Sequence, residues 1–291
     1  MTRPVVYDTI EGLRAAMTGR QVALVPTMGA LHAGHLSLVE RAAELSETVV
    51  VSIFVNPLQF GANEDLDRYP RDLDGDLTAL ASCGFGGFGG FRDIRVFAPS
   101  VAEMYPTGAP STRVVGGTVT GLFEGRSRPG HFDGMLTVVA KLLTIVSPEV
   151  AIFGQKDAQQ LFLIQRMVAD LNLPVRIVPG DTQRDSDGLA LSSRNRFLDP
   201  AERAAAPALH RALEAAQAAA ERGLGAAIAA AQAEIMNQPL IDLDYLEVVD
   251  PASFLPVGDD HRGPARVLIA ARLGSTRLID NEALYLNRAR P

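Results

Sequence analysis

The chain has 291 residues, of which 47% are hydrophobic and 21% charged, and its formal net charge is -7. Such a composition is typical of a globular protein with one large or two modest cores. The acidic balance excludes bulk affinity for nucleic acid, and the apolar runs are too short to span a membrane. A single cysteine, Cys83, excludes an internal disulfide. Since the N-terminus also lacks a signal-peptide pattern, we expect a cytoplasmic protein.

The first half of the chain alternates between strand-like and helix-like patterns. The strand-like runs are rich in Val, Ile or Phe and cover Gln21–Val25, Thr48–Phe54, Ile94–Ala98 and Glu149–Phe153. The amphipathic stretches between them are Leu36–Glu47, Leu66–Ala81 and Met135–Val146. This alternation predicts an α/β fold with a doubly wound parallel sheet, whose ligands bind beyond the carboxyl ends of the strands.

The pattern changes near residue 181. Asp199-Pro200-Ala201-Glu202 combines a cap residue, a proline at the first helical position and a glutamate at the third, which predicts a helix start. The alanine-rich helix that follows is expected to kink at Pro207 and to stop near Gly223 and Gly225. Two later strand-like runs are Tyr245–Val249 and Val267–Leu273. We therefore predict a first domain over residues 1–181 and a smaller α+β domain over residues 182–291.

Two histidines three residues apart follow the first of these strands. His32 and His35 flank Gly34 where strand gives way to helix. Imidazole donors beside the free N–H groups of a helix N-terminus suit a polyphosphate, and a glycine lets the backbone approach it closely. Two alternatives are histidines that only cap the helix, and a metal site, although no third histidine or cysteine lies nearby. The pattern favours a nucleotide pocket.

Later segments offer further groups for an anion. Lys156 directly follows a strand, where burying a charge without a partner is costly, and Gln160 lies one helical turn further on. Ser192, Ser193 and Arg194 can donate several hydrogen bonds to phosphate oxygens. Taken singly, the lysine could be a solvated loop residue and the Ser-Ser-Arg turn an ordinary loop. Their combination with the two histidines favours a shared anion site.

These motifs resemble those of a known enzyme family. His32-Ala33-Gly34-His35 resembles the HxGH signature of the nucleotidyltransferases, and Leu191-Ser192-Ser193-Arg194 resembles their mobile KMSKS-type loop. Finer blocks follow in order along nearly the whole chain: Pro26-Thr27-Met28-Gly29-Ala30-Leu31-His32, Phe54-Val55-Asn56-Pro57-Leu58-Gln59-Phe60, Tyr69-Pro70-Arg71, Arg128-Pro129-Gly130-His131-Phe132 and Ser192-Ser193-Arg194-Asn195. Together the blocks are similar to those of the pantoate–β-alanine ligase (pantothenate synthetase) family.

The resemblance implies a Rossmann-like sheet of the HUP nucleotidyltransferase type and an ATP-dependent condensation of (R)-pantoate with β-alanine. The reaction would pass through a pantoyl adenylate and release AMP and pyrophosphate, with Mg²⁺ accompanying ATP. It needs no enzyme nucleophile, because positioning and electrostatics carry the catalysis. A homodimer and a small domain that closes as a lid are also implied. Two alternatives are another HxGH nucleotidyltransferase and a catalytically silent nucleotide-binding protein.

The resemblance also implies roles for individual residues. Catalysis is assigned to His32, His35, Lys156, Ser192, Ser193 and Arg194. Contacts with ATP are assigned to Met28, His35, Asn56, Gly154, Lys156, Asp157, Gln183, Leu191, Ser192, Ser193 and Arg194. Contacts with pantoate are assigned to Pro26, Thr27, Met28, Gln59 and Gln160. Mg²⁺ is assigned to Asp76, for which a capped and solvated helix start is the alternative.

Three further features are a glycine-rich run, a basic pair before a helix and the single cysteine. The run from Gly84 to Gly89 matches GxGxxG formally, but it follows a helix rather than opening one after a strand, so no dinucleotide site is predicted there. Arg128 and His131 precede a helix and are predicted to face ATP or a dimer partner. Cys83 has no basic neighbour in sequence and is not predicted to be a nucleophile.

Overall fold

The computed structural model describes residues 3–61, 66–83 and 93–287, so the glycine-rich run from Gly84 lies outside the described residues. The chain divides into two compact units. Unit 1 comprises Met1–Gln155 and Leu163–Asp181, and unit 2 comprises Lys156–Phe162 and Thr182–Pro291. In the part of the chain that is described, no helix has both the length and the apolar character needed to cross a bilayer.

Unit 1 is built on a six-stranded sheet in which every pair of neighbours is parallel, in the order β1-β4-β3-β2-β5-β6. Its strands are β1 (Val5–Tyr7), β2 (Val22–Thr27), β3 (Thr48–Ile53), β4 (Asp93–Phe97), β5 (Val150–Gly154) and β6 (Arg176–Gly180). Its helices are α1 (Ile10–Met17), α2 (Ala33–Leu45), α3 (Leu73–Ser82), α4 (Val101–Met104), α5 (Glu124–Ser127) and α6 (His131–Val146), with α7 (Ala158–Asp170) divided between the units. The predicted doubly wound sheet is confirmed.

The predicted elements of unit 1 differ from the observed ones mainly at their ends and at the sheet edges. The four predicted strands are present within two residues of their predicted bounds. β1 and β6 were not predicted, because β1 has three residues and β6 contains Pro179, which is tolerated at a sheet edge. Helix α3 begins at Leu73 and not at Leu66, since the Asp72 carboxylate caps it by accepting the Gly75 N–H at 2.9 Å.

Buried aliphatic side chains on one face of this sheet form one core cluster of unit 1, and residues outside that cluster, such as Leu24, Val50 and Leu136, are buried as well. In the cluster, Val39 and Ala42 of α2 and Leu80 of α3 pack against Val25 and Ile152 of the sheet. Burial of this kind is the main favourable contribution to folding, at roughly 25 cal/mol for each Å² of apolar surface. The core therefore fixes the positions of the strands, and with them the points at which the loops at their carboxyl ends begin.

Unit 2 contains an antiparallel sheet in the order β7-β8-β9. Its strands are β7 (Ile241–Val249), β8 (Gly263–Leu273) and β9 (Thr276–Leu286), and its helices are α8 (Pro200–Ala205), α9 (Ala208–Ala219) and α10 (Leu224–Met236). Small and aliphatic side chains of these helices, such as Leu213 and Ala227, pack against strand residues such as Ile269 and Leu284. Unit 2 thus has a core of its own.

The helix start predicted at Asp199 is confirmed, since Asp199 and Glu202 form a capping box. The predicted end of the alanine-rich helix near Gly223 is also confirmed, but a further helix, α10, starts at Leu224 and was not predicted. Pro207 separates α8 from α9, and Gly223 adopts a φ of 102°, which breaks the helix and is strained for other residues. Gly225 then lies inside α10.

Cys83 follows α3 directly and its side chain is buried. Burial, with a smaller contribution from the Glu40 carboxylate, raises the pKa of this thiol to about 11. The nucleophilic thiolate is therefore scarce at neutral pH, which agrees with the prediction that Cys83 is not a nucleophile.

The raised pKa of Cys83 is expected to make the fold less stable at alkaline pH. The folded pKa exceeds the unfolded one, so the contribution is complete below about pH 9 and is lost as the pH rises toward 11. The loss in the free energy of unfolding is about 2 kcal/mol. Urea denaturation at about pH 8 and about pH 11 measures the loss. We expect the wild type to lose more stability than Cys83→Ala, and equal losses would contradict the raised pKa.

Candidate active site

The strand order reverses at β2 and β5, so a ligand site is expected at the carboxyl ends of these two strands. From β2 the chain proceeds to β3 and β4 on one side of the sheet, and it then continues with β5 and β6 on the other side. Open α/β sheets bind their ligands where the strand order reverses in this way. Thr27 ends β2 and Gly154 ends β5, so the loops that follow them are the candidates for ligand binding.

The loop after β2 is held against the sheet by short polar contacts. The Thr27 hydroxyl donates to the Ser52 carbonyl at 2.7 Å and accepts the Gly29 N–H at 3.2 Å. Gly29 has a φ of 80°, and a Cβ there would lie 2.9 Å from Asp76 Oδ2 and 3.1 Å from Ile53 Cγ2. This position therefore requires glycine on both conformational and steric grounds.

Asp76 supports the same loop from helix α3. Its carboxylate is buried and accepts the N–H groups of Ala30 at 3.1 Å and Leu31 at 2.7 Å. Hydrogen bonds to a carboxylate are stronger than neutral ones, so Asp76 fixes the backbone that leads to His32.

The described carboxylates around Asp76 already have partners within the protein. Within residues 3–61, 66–83 and 93–287 no group of three His, Cys, Asp or Glu side chains could hold a metal ion. Asp72 caps α3, Asp74 pairs with Arg3, and both oxygens of Asp76 accept backbone N–H groups. The assignment of Asp76 to Mg²⁺ stays a prediction, and no chemical step is derived from it.

His32 and His35 meet at the N-terminus of the 13-residue helix α2. Their ring centroids are 4.1 Å apart and their planes are inclined by 41°. His32 is the cap residue, and its Nδ1 accepts the Gly34 N–H at 3.1 Å, so the neutral ring carries its proton on Nε2. Capping therefore leaves His32 able to donate from Nε2, beside the positive end of the helix dipole.

A second cluster lies in the 3₁₀ turn Pro57–Gln59 that follows β3. Asn56 and Gln59 are both buried. Asn56 Nδ2 donates to Gln59 Oε1 at 3.0 Å and to the Gly134 carbonyl at 3.1 Å. Helix α6 approaches the turn so closely that a Cβ on Gly134 would lie 1.9 Å from the Leu58 carbonyl oxygen. Gly134 thus permits the contact that places Gln59.

Arg128 and His131 hold the backbone of the same turn. His131 Nδ1 lies 2.8 Å from the Gln59 carbonyl oxygen, and Arg128 Nη2 donates to that oxygen at 3.3 Å. A carbonyl only accepts, so Nδ1 carries the proton, and Nε2 is the acceptor for Arg128 Nη1 at 3.2 Å. We predicted these side chains to face ATP or a partner; the structure gives them a supporting contact within unit 1.

In unit 2, Lys156 and Ser192 line the same small cleft. Asn281 Nδ2 donates to the Lys156 carbonyl at 2.8 Å, which anchors the backbone of the lysine and not its ammonium group. Ser192 caps the 3₁₀ turn Ser193–Phe197, since its Oγ accepts the Arg194 N–H at 3.3 Å. The lysine and Ser192 therefore lie in the same unit and line the same cleft.

Ion pairs brace the segment that leads to Ser192. Arg184 donates to both carboxylate oxygens of Asp280, at 2.5 and 3.1 Å. Arg203 pairs with Asp185 and Asp187 and holds the pKa of the Asp187 carboxyl below its usual range. The sequence pattern did not indicate these residues, because the partners Arg184 and Asp280 are 96 positions apart.

The other predicted residues are divided between the two units. In unit 1, Pro26 and Met28 are half-buried beside Thr27, and Gly154 ends β5. The rest belong to unit 2: the half-buried Gln160, Leu191, Ser193 and Arg194, and the exposed Asp157 and Gln183. The structure thus brings the paired histidines and Gln59 into unit 1 and the lysine and serines into unit 2.

Comparison with known proteins gives a consistent result. The family model for pantoate-β-alanine ligase matches residues 5–283. A pantothenate synthetase from Leifsonia xyli is 59% identical over 95% of this chain and 93% of its own. The crystal structure of the pantothenate synthetase from Thermus thermophilus has a TM-score of 0.88 at 48% identity, covering 96% of this chain and 98% of that chain.

A pantoate-β-alanine ligase from Francisella tularensis, solved in complex with beta-gamma ATP and β-alanine, has a TM-score of 0.76 at 33% identity. That similarity covers 96% of this chain and 97% of the other chain. The family match and these relatives extend over both units, from the paired histidines to the three-stranded sheet. The chain therefore belongs to the pantoate–β-alanine ligase family.

Proposed function

We propose that this chain condenses pantoate with β-alanine at the expense of ATP, through a pantoyl adenylate, and releases AMP and pyrophosphate. The observation that carries the proposal is that unit 1 holds both a candidate phosphate site and a candidate pantoate site. It combines the His32 and His35 pair at a helix N-terminus with a buried glutamine, Gln59, whose amide oxygen is already bonded to Asn56. The first element suits a triphosphate and the second suits an uncharged contact with a hydroxy acid.

In the first step a carboxylate oxygen of pantoate attacks the α-phosphorus of ATP. A C–O–P mixed anhydride forms, the bond from the α-phosphorus to the bridging oxygen breaks, and pyrophosphate leaves with the electron pair. Two anionic reactants must come into contact, so positive charge and N–H donors are needed where negative charge accumulates. We assign this role to His32, His35, Lys156 and Arg194, with hydroxyl donors from Ser192 and Ser193.

In the second step the free amine of β-alanine attacks the acyl carbon of the adenylate. An amide bond forms, the bond from the carbonyl carbon to the AMP oxygen breaks, and the nitrogen loses a proton. AMP is a good leaving group, so holding the two reactants in line is sufficient. No enzyme nucleophile takes part.

Several finer assignments are part of the same proposal. Mg²⁺ is proposed to arrive with ATP, since this ion keeps several waters and binds through phosphates and at most one or two carboxylates. When bound, it neutralises charge on the phosphates. We also propose that the chain works as a cytoplasmic homodimer.

The test of this function is an isotope exchange. With pantoate present and β-alanine absent, the adenylate route predicts incorporation of labelled pyrophosphate into ATP. Release of AMP with both substrates is then compared with its release with either alone. Pantothenate formation without exchange would contradict the adenylate. Exchange independent of pantoate would favour another nucleotidyltransferase, and no turnover at all would favour a nucleotide-binding protein.

Replacing Gln59 by alanine is expected to weaken pantoate binding more than ATP binding. Loss of hydrogen bonds to an anionic substrate costs about 1.5–3 kcal/mol, so we expect the pantoate KM to rise roughly ten- to a hundredfold. Steady-state kinetics with each substrate varied in turn measures the change. Gln21→Ala is the matched control, because Gln21 is an exposed glutamine of the same unit just before β2. An unchanged pantoate KM in Gln59→Ala would count against this pocket.

A further inference from the structure

Tyr105 is a buried tyrosine that has no part in the mechanism above. It follows helix α4, and its side chain is 6% exposed. The ring packs beside Phe54, with centroids 6.1 Å apart, and the hydroxyl donates to Asn56 Oδ1 at 2.8 Å. Burial raises the pKa of Tyr105 to about 12, so the hydroxyl keeps its proton at working pH. It is therefore a permanent donor to Asn56.

The orientation of the Asn56 amide follows from two backbone groups of fixed character. The Leu58 N–H can only donate, and it lies 3.3 Å from Oδ1. The Gly134 carbonyl can only accept, and it lies 3.1 Å from Nδ2. These two contacts exclude the flipped amide. With Tyr105 on Oδ1 and Gln59 on Nδ2, all four bonding positions of a side chain that is 1% exposed are filled.

The orientation of Gln59 follows in turn. Asn56 Nδ2 is a donor, so it must face the amide oxygen of Gln59, Oε1, at 3.0 Å. The amide nitrogen of Gln59 then carries two N–H groups for a ligand. A pocket that offers donors binds carboxylate and hydroxyl oxygens and disfavours groups that only donate.

We propose that Tyr105 is a positioning residue for pantoate recognition, which acts through Asn56 to hold Gln59 with its N–H groups toward the substrate. The inference deepens the proposed function and rests on it. Tyr105 itself touches no substrate in this scheme. Its hydroxyl donates the fourth hydrogen bond of the Asn56 amide and so fixes that amide. The fixed Asn56 amide in turn orients the amide of Gln59.

The test is Tyr105→Phe, which removes the hydroxyl and keeps the ring. Loss of one buried hydrogen bond that orients Gln59 is expected to raise the pantoate KM about fivefold or more, with kcat and the ATP KM within about twofold of wild type. Tyr7→Phe is the matched control, because it removes a hydroxyl of the same unit that accepts from Arg95 Nη1 at 2.8 Å. Tyr7→Phe should leave the pantoate KM unchanged.

A double variant separates positioning from general damage. If Tyr105 acts through Gln59, Tyr105→Phe should have no further effect on the pantoate KM once Gln59→Ala is present. An equal effect in both backgrounds would overturn the inference. So would an unchanged pantoate KM in the single variant, or a parallel rise in the KM of ATP. Wild-type protein that forms no pantothenate would overturn the proposed function, and this inference with it.

Asn56→Asp provides a second test if Tyr105→Phe does not fold. A carboxylate at this position has no N–H groups, so the Gln59 amide would turn and donate to it. Its N–H groups would then be withdrawn from the ligand, and the pantoate KM should rise in this variant as well. A folded variant, checked by thermal denaturation, with a wild-type pantoate KM would overturn the inference.

Discussion

Replacing Lys156 by alanine is expected to reduce pantoate-dependent pyrophosphate exchange by about two to three powers of ten. The ammonium group supplies positive charge where two anions meet, and a methyl group supplies none. The fold should persist, because Asn281 holds the carbonyl of this residue and not its side chain. Exchange rates measured at saturating ATP and pantoate give the effect. Lys156→Arg keeps the positive charge but changes the shape of the group that carries it. Its exchange rate is expected to lie between those of the wild type and Lys156→Ala.

The composition of the chain allows a direct control on this lysine. The sequence has only two lysines, Lys141 and Lys156. The native protein is therefore acylated with an amine-selective reagent, and peptide mass spectrometry measures the extent of labelling at each lysine. Lys156 is the candidate site, and Lys141 is the internal reference. We expect ATP to protect Lys156 and to leave Lys141 unchanged. Wild-type exchange in Lys156→Ala, or equal labelling of Lys156 with and without ATP, would contradict the assigned role.

His35→Ala is expected to slow adenylate formation by a similar amount, about two to three powers of ten. The substitution removes one of two neighbouring imidazoles at the N-terminus of α2 and leaves the cap bond of His32 intact. Single-turnover measurement of ATP consumption in the presence of pantoate isolates this step from product release.

His261→Ala serves as the control for that measurement, because His261 belongs to unit 2 and its Nε2 lies 3.1 Å from the Pro264 carbonyl oxygen. The rate of adenylate formation in His261→Ala should equal that of the wild type. If His35→Ala forms the adenylate at the wild-type rate, the paired imidazoles do not serve the phosphates.

The fold class could be predicted from the sequence because its signal is local and repeated. Each predicted strand of unit 1 is a short run rich in Val, Ile or Phe, and an amphipathic stretch separates each from the next. β1 and β6 lie at the sheet edges and carry weaker patterns. The end of the alanine-rich helix near Gly223 was predicted but helix α10 beyond it was not, because two glycines close together are typical of the end of a helix.

The candidate site could be predicted only where neighbours in sequence are also neighbours in space. His32 and His35 lie close together in sequence at one helix start, so their pairing was visible. The contact of Tyr105 with Asn56 spans 49 positions, and that of Asn56 with Gly134 spans 78. No local pattern reports such contacts, because they arise from the packing of helices on the sheet.

Asp76 illustrates a different reason for an incomplete prediction. A carboxylate near a helix start can bind a cation, cap the helix or accept N–H groups from elsewhere, and the residue type is the same in each case. The structure shows that Asp76 accepts the N–H groups of Ala30 and Leu31. Its support of the loop that ends at His32 depends on residues 45 positions away, which the sequence alone does not reveal.

The most direct measurement follows the oxygen atoms of pantoate. Pantoate labelled with ¹⁸O in its carboxylate is incubated with ATP, β-alanine and the wild-type protein, and the AMP is analysed by mass spectrometry. If the carboxylate attacks the α-phosphorus, the bridging oxygen stays with phosphorus when the amide forms, and each AMP carries one ¹⁸O. AMP without ¹⁸O, formed together with pantothenate, would contradict the account.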